Sequence, residues 1–153
     1  MLCVASLCWR GLLLLCGWLG ALIFVAARFY DLLYGVEAAE FSAILLGLQW
    51  ALSLNLAPVA VESDALNMVR LCCGFSFSYS NIDNIIQDVR FLLERHSFLS
   101  ICFVSRLGNN VAHCVSKWAV GNPSSCCFDA SFPAWLLKLA RGEVVSGFVA
   151  GSS

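Results

Sequence analysis

Charge is scarce in this sequence. Of its 153 residues only 12% are charged, with 9 Lys and Arg against 10 Asp and Glu, whereas 60% are apolar. A formal net charge of −1 excludes a global positive field that would draw the chain to phosphates, so any affinity for nucleic acid requires a local cluster of cations. The length suits one domain with a buried core and leaves no room for a second full domain.

Cysteine spacing typical of a metal site is also missing. The nine cysteines include the adjacent pairs Cys72-Cys73 and Cys126-Cys127, but they form neither a repeated CxxC motif nor a Cys/His ligand pattern. We therefore interpret them mainly as reduced, small residues of the core.

The chain has no acidic residue before Asp31. Within this part, Gly11–Ala27 (GLLLLCGWLGALIFVAA) is a run of 17 uncharged residues, at the lower limit for crossing a hydrocarbon core. A short membrane anchor and a signal peptide are two interpretations of residues 11–27. A third applies to Ala21–Phe29, where β-branched and aromatic residues follow two glycines, as in a strand after a turn.

Periodic apolar residues predict two long helices. Phe41, Leu45, Leu48 and Leu52 recur at helical spacing within Val36–Asn55. A second apolar face predicts a helix over Ser80–His96, and Ser80 with Asp83 forms a motif similar to a capping box; that face comprises Ile82, Ile85, Ile86, Val89 and Leu93.

The remaining segments alternate between strand and helix patterns. Strands are predicted at Val59–Glu62 and Leu99–Ser105, and shorter helices at Ala65–Leu71 (ended by Gly74), Asn110–Val120 and Pro133–Leu139. Elements in this order predict an α/β domain with a mixed sheet covered by helices.

Three groups of residues then follow one another along the chain: Ala39-Glu40-Phe41 with Gly47-Leu48 and Ala51, Val61-Glu62-Ser63-Asp64, and Arg106-x-x-Asn109-x-Val111-Ala112-His113. In this order and spacing they resemble the ribonuclease H-type domain of plant reverse-transcriptase-like, retrotransposon-related proteins. The resemblance implies a ribonuclease H-like domain over residues 20–120. An apolar segment of residues 1–19 would precede it, and a linker and short tail of residues 121–153 would follow.

The resemblance also implies an activity, the metal-dependent cleavage of RNA in an RNA–DNA hybrid. In this family, carboxylates from separate elements gather around two divalent cations, Mg²⁺ or Mn²⁺, which activate water and steady the leaving oxygen. The family's helix glutamate maps onto Glu40 and its strand-end aspartate onto Asp64. His113 is the third candidate catalytic residue, and Arg106 and Asn109 are candidates for contacting nucleic acid.

Two departures from the family pattern predict impaired cleavage. The first-strand aspartate of the family has no counterpart in residues 1–20, so we expect N-terminal strands that are truncated or replaced, unless an aspartate-bearing strand is encoded upstream of Met1. His113 stands where the family often has aspartate, and a neutral imidazole offers nitrogen to a hard cation. Asp31 falls in a loop and is not a substitute. Two alternatives stay open: a catalytically dead nucleic-acid-binding or interaction domain, and a small membrane-anchored protein.

Each candidate residue also has a simpler interpretation. Glu40 complements the dipole at a helix N-terminus, and Asp64 is placed to cap the helix that follows it. Asn109 is equally a helix cap, and Arg106 a surface residue of a turn. His113 has the spacing of a solvated helix residue, and Trp50 and Trp118 are expected in the core rather than stacked on bases.

Overall fold

The computed structural model describes residues 2–7, 12–16, 22–27, 35–74, 82–121, 126–128 and 131–142. Side-chain surroundings are described for residues 37–74, 82–118 and 131–142. Asp31 and Ser80, both singled out from the sequence, lie outside the described residues.

The described strands form one mixed sheet. They are β1 (Leu2–Leu7), β2 (Leu12–Cys16), β3 (Leu22–Ala27), β4 (Val59–Ser63), β5 (Leu99–Phe103) and β6 (Cys126–Phe128). Their order across the sheet is β5-β4-β1-β2-β3-β6. β4 pairs in parallel with both β1 and β5, and the other pairs are antiparallel. The α/β fold with a mixed sheet is therefore confirmed.

The N-terminal strands differ from the expectation that they would be truncated or replaced. β1 and β2 are present and occupy interior positions of the sheet, and β1 pairs with β4 from Leu2 beside Val59 to Ser6 beside Ser63. The expectation rested on the missing aspartate, but strand formation depends on apolar and β-forming residues rather than on that one side chain. The strand expected within Ala21–Phe29 is confirmed as β3.

A helical anchor over residues 11–27 is not what the structure contains. Residues 12–16 and 22–27 are the strands β2 and β3, paired antiparallel. Among the described parts of the chain, no helix has the length and apolar character needed to cross a membrane.

Helices at the expected places cover the sheet. They are α1 (Gly35–Ser53), α2 (Leu66–Cys72), α3 (Asp83–Arg95), α4 (Asn110–Gly121) and α5 (Ala134–Ala140). α1, α2 and α3 bury their apolar faces against β4 and β5 in one core, in which Phe41, Ile44, Leu48, Val61 and Val89 are at most 1% exposed. The common apolar surface explains why these separate segments fold together.

Backbone motifs end the first two helices. Asn55 has a φ of 53°, and the amides of Asn55 and Leu56 donate to the carbonyls of Leu52 and Ala51, which is a Schellman motif. Gly74 has a φ of 80° after α2, so its expected role in ending that helix is confirmed. The expectation of a capping box at the start of α3 is wrong, because α3 begins at Asp83 and its N-cap residue, Ile82, makes no side-chain cap bond.

The C-terminal helix packs on α4. Leu136 of α5 is fully buried, and the rings of Trp118 and Trp135 lie 5.9 Å apart between their centroids. Trp118 therefore packs against Trp135 of another helix, but it is half-buried and lies at the margin of the core that was expected for it. β6 falls within the segment that was expected to be only a linker.

Leu48→Ala tests the core. Leu48 is 0% exposed, so removing its side chain leaves a cavity and should lower the free energy of unfolding by about 2–5 kcal/mol. Leu54→Ala is the matched control, because Leu54 is 52% exposed and its loss should change stability by no more than about 0.5 kcal/mol. Urea unfolding followed by circular dichroism measures both. Equal small losses would contradict the described core.

Candidate functional site

Asp64 lies directly after β4, where the chain turns toward α2. Ser63 is 3% exposed, and its Oγ accepts a hydrogen bond from the amide of Ala65 at 3.1 Å. The carbonyl of Ser63 also accepts a bond from the amide of Val104, 3.0 Å away at the end of β5. The turn that carries Asp64 is thus fixed by hydrogen bonds on both sides.

The carboxylate of Asp64 joins the end of β4 to the segment before α4. Its Oδ1 accepts a hydrogen bond from Nδ2 of Asn109 at 3.3 Å, and its Oδ2 lies 3.5 Å from Nε of Arg106. α2 has Ala65 at its N-cap position and no side-chain cap bond, so the interpretation of Asp64 as the cap of α2 is wrong. The cap interpretation considered only the residues that follow Asp64, whereas its partners, Arg106 and Asn109, are distant in sequence.

Asn109 begins α4 through its backbone, while its side chain has a partner that was not expected. Its backbone carbonyl accepts the amide of His113 at 3.1 Å, which is the first bond of α4 and places Asn109 at the N-cap position. Its side chain, however, reaches Asp64, and the residue is only 1% exposed. Direct contact with a nucleic acid through this side chain is therefore sterically restricted.

His113 lies one turn into α4, within electrostatic reach of the same carboxylate. Burial lowers the pKa of His113 below its usual value, and the positive charges of Lys117 and Arg106 lower it further, while Asp64 acts in the opposite direction. The structure thus brings Asp64, Arg106, Asn109 and His113 together, and we call these four residues the Asp64 cluster.

Glu40 is placed on α1, the helix expected to carry it. It is half-buried between Ala39 and Phe41, which are both buried, and α1 contacts β4. An approach of the Glu40 and Asp64 carboxyl groups to roughly 4–8 Å, as a shared pair of cations requires, stays a prediction.

The residues around Asp64 do not fit a two-cation centre. Both carboxylate oxygens of Asp64 face N–H donors, and an Arg guanidinium repels a metal ion. β1 ends beside β4 with Ser6 and Leu7, so this strand contributes no carboxylate. Within the described residues, no group of three or more His, Cys, Asp or Glu side chains is arranged to hold a metal.

The cysteines with described side chains have raised pKa values. Cys72, Cys73, Cys102 and Cys114 are free thiols. Burial, together with neighbouring Cys73, raises the pKa of Cys72 to about 12 although Arg90 opposes the shift, and burial also raises the pKa of the other three. The interpretation as small core residues holds for Cys72, which is buried, whereas Cys73 is exposed and Cys102 and Cys114 are half-buried.

A separate cleft of about 270 Å³ opens between α1 and α2. Its lining includes Glu37, Phe41, Asn67 and Met68, and neither Glu40 nor Asp64 contributes to it. This cleft and the Asp64 cluster are therefore different places on the surface.

Comparison with known proteins identifies a family from the sequence and a similar fold from the structure. The sequence profile described as reverse transcriptase-like matches residues 11–119, which includes the Asp64 cluster and Glu40. The crystal structure of RNase H1 from the halophilic archaeon Halobacterium salinarum NRC-1 is similar to this chain, with a TM-score of 0.65, over 73% of this chain and 91% of that chain. At 16% sequence identity this similarity establishes the fold alone. No curated protein matches the sequence.

The electrostatics of the cluster predict how His113 titrates. Lys117→Met removes a positive charge that lowers the pKa of His113, so that pKa should rise toward its usual value, whereas Asp64→Asn should lower it further. NMR titration of the imidazole resonances measures both shifts. Arg70→Met, on the exposed side of α2, is the control and should leave the titration of His113 unchanged. A fall in the pKa of His113 on Lys117→Met would contradict the described arrangement.

Proposed function

Because this chain belongs to the reverse transcriptase-like family and has the ribonuclease H-like fold, we propose that it binds nucleic acid, with an RNA–DNA hybrid as its duplex and with strongly reduced metal-dependent cleavage. The observation that carries the proposal is the Asp64 cluster, in which the strand-end aspartate of the family motif meets the residues of the last motif. An origin in a plant retrotransposon-related gene is part of the same proposal.

The local charge of the Asp64 cluster supports a phosphate-binding role. Arg106 is 76% exposed in the segment between β5 and α4, and Lys117 follows on α4. These two side chains form a local cationic surface in a chain whose net charge is −1, whereas the lowered pKa of His113 keeps its imidazole from adding to that charge. A guanidinium is well suited to phosphate because its planar N–H donors match the phosphate oxygens.

The carboxylates support reduced rather than full cleavage. In this proposal Glu40 and Asp64 are the two family carboxylates at which Mg²⁺ or Mn²⁺ would act, and His113 is the third catalytic candidate. Two carboxylates leave half of the charge of two divalent cations uncompensated, and the imidazole of His113 adds no negative charge. Weak metal binding and weak cleavage follow from this shortage.

Binding is expected to be weak and sensitive to salt. Few phosphate contacts are available, so the dissociation constant for a hybrid should lie in the range of roughly 10⁻⁶ to 10⁻⁴ M and increase with added salt. Fluorescence anisotropy with a labelled RNA–DNA hybrid measures it. Arg70→Gln should leave the affinity nearly unchanged, because Arg70 is on α2, outside the Asp64 cluster. The proposal would be refuted if the natural chain did not bind the hybrid at low ionic strength, or if its binding did not weaken as salt is added.

Cleavage is tested separately with the same hybrid in Mg²⁺ or Mn²⁺. The natural chain and a Glu40→Gln, Asp64→Asn double variant should both release little or no product. Robust cleavage that the double variant abolishes would show that the reduced site is sufficient and that the proposed impairment is wrong. His113→Asp is the informative third protein, because restored cleavage in this variant would locate the defect at position 113.

A further inference from the structure

The negative charge of Asp64 is compensated within the chain. The side chain of Asp64 is only 13% exposed, and a carboxylate withdrawn from water to this extent needs a counter-charge or hydrogen-bond donors. Arg106 provides the charge at 3.5 Å from Oδ2, and Asn109 provides a donor at 3.3 Å from Oδ1. Both oxygens therefore have partners that are part of the fold.

The two partners differ in exposure. Asn109 is 1% exposed and is held at the start of α4 by its backbone, so its amide is a fixed donor. Arg106 is 76% exposed, so its guanidinium lies at the surface while Nε faces Asp64. The other N–H groups of a guanidinium are donors as well, and in Arg106 they belong to a side chain that is largely open to solvent.

We infer that Arg106 takes the place of a divalent cation at Asp64, linking this carboxylate to a phosphate of the bound strand, so that the chain engages nucleic acid without Mg²⁺. The inference rests on the proposed nucleic-acid binding and specifies how that binding is achieved. A divalent ion at Asp64 would have to displace the guanidinium and compete with the amide of Asn109. The missing carboxylate at the end of β1 gives such an ion no compensating ligand.

The first test measures hybrid binding by anisotropy at constant ionic strength, once in EDTA and once in Mg²⁺. The dissociation constant of the natural chain should agree within about twofold between the two conditions. Arg106→Gln should weaken binding in both by about five- to tenfold, the loss expected for one charge-assisted contact. Arg106→Lys keeps the positive charge but loses the planar set of N–H donors, so its dissociation constant should lie between those of the natural chain and Arg106→Gln. Binding by the natural chain that is lost in EDTA would overturn the inference.

The second test measures Mn²⁺ binding to the protein alone, by electron paramagnetic resonance. The natural chain should bind little Mn²⁺, Arg106→Gln should bind measurably more, and Arg106→Gln combined with Asp64→Asn should lose this gain. The inference would be overturned if the natural chain and Arg106→Gln bound Mn²⁺ equally well and Asp64→Asn abolished that binding. Such a result would show that Mn²⁺ binds at Asp64 while Arg106 is present. Because Arg106 is mostly exposed, its substitution should leave the fold intact, which a thermal melt checks.

The two measurements also separate this inference from the proposed function. If the natural chain binds no hybrid in either buffer, the proposed function fails, whereas the Mn²⁺ comparison still decides whether Arg106 occupies the position of the cation.

Discussion

The parallel ladders on both sides of β4 determine where Asp64 lies, and the candidate site depends on them. β4 pairs with β1 on one side and β5 on the other, and its residues Val59 and Val61 are buried under α1, α2 and α3. Because parallel strands end at the same edge of a sheet, the segment after β5 starts beside the segment after β4. Arg106 and Asn109 follow β5, so they reach Asp64 although they are more than forty positions away in sequence, 45 in the case of Asn109.

The elements with a clear local pattern were predictable. α1, α3, β4 and β5 each begin and end within a few residues of their expected limits. Amphipathic spacing accounts for α3, whereas α1 and β4 are buried on more than one face and were recognisable from their apolar runs and the turn residues around them. β1 and β2 were not predicted, because their sequences have no clear local pattern. A strand inside a sheet covered by helices is typically apolar throughout, so it has no alternation that distinguishes it from a membrane anchor. Most of the unusual apolar content of residues 11–27 belongs to β2 and β3.

The sequence indicated which candidate residues belong to one motif set, but not the contacts between them, and their roles stay predictions. The family resemblance identified Asp64, Arg106, Asn109 and His113, and three of them are joined by direct contacts. The sequence did not indicate that Asn109 would be buried against Asp64, because a long-range hydrogen bond leaves no periodic signal. The lowered pKa of His113 could not be predicted from the sequence either, because it depends on burial and on the positions of Lys117 and Arg106.

The same contacts give Asp64 a structural role in a chain that lacks the first-strand aspartate and has His113 where the family often has another aspartate. With a fixed amide on one oxygen and a guanidinium near the other, the carboxylate joins β4 to α4 and needs no metal to offset its charge. The exposed ion pair adds little to stability, whereas the buried amide of Asn109 fixes the geometry. A carboxylate satisfied in this way is a poor cation ligand, because a metal gains Asp64 only when the N–H donors are displaced. In the proposed function, this arrangement opposes metal binding at Asp64 and leaves the exposed N–H groups of Arg106 to meet a phosphate.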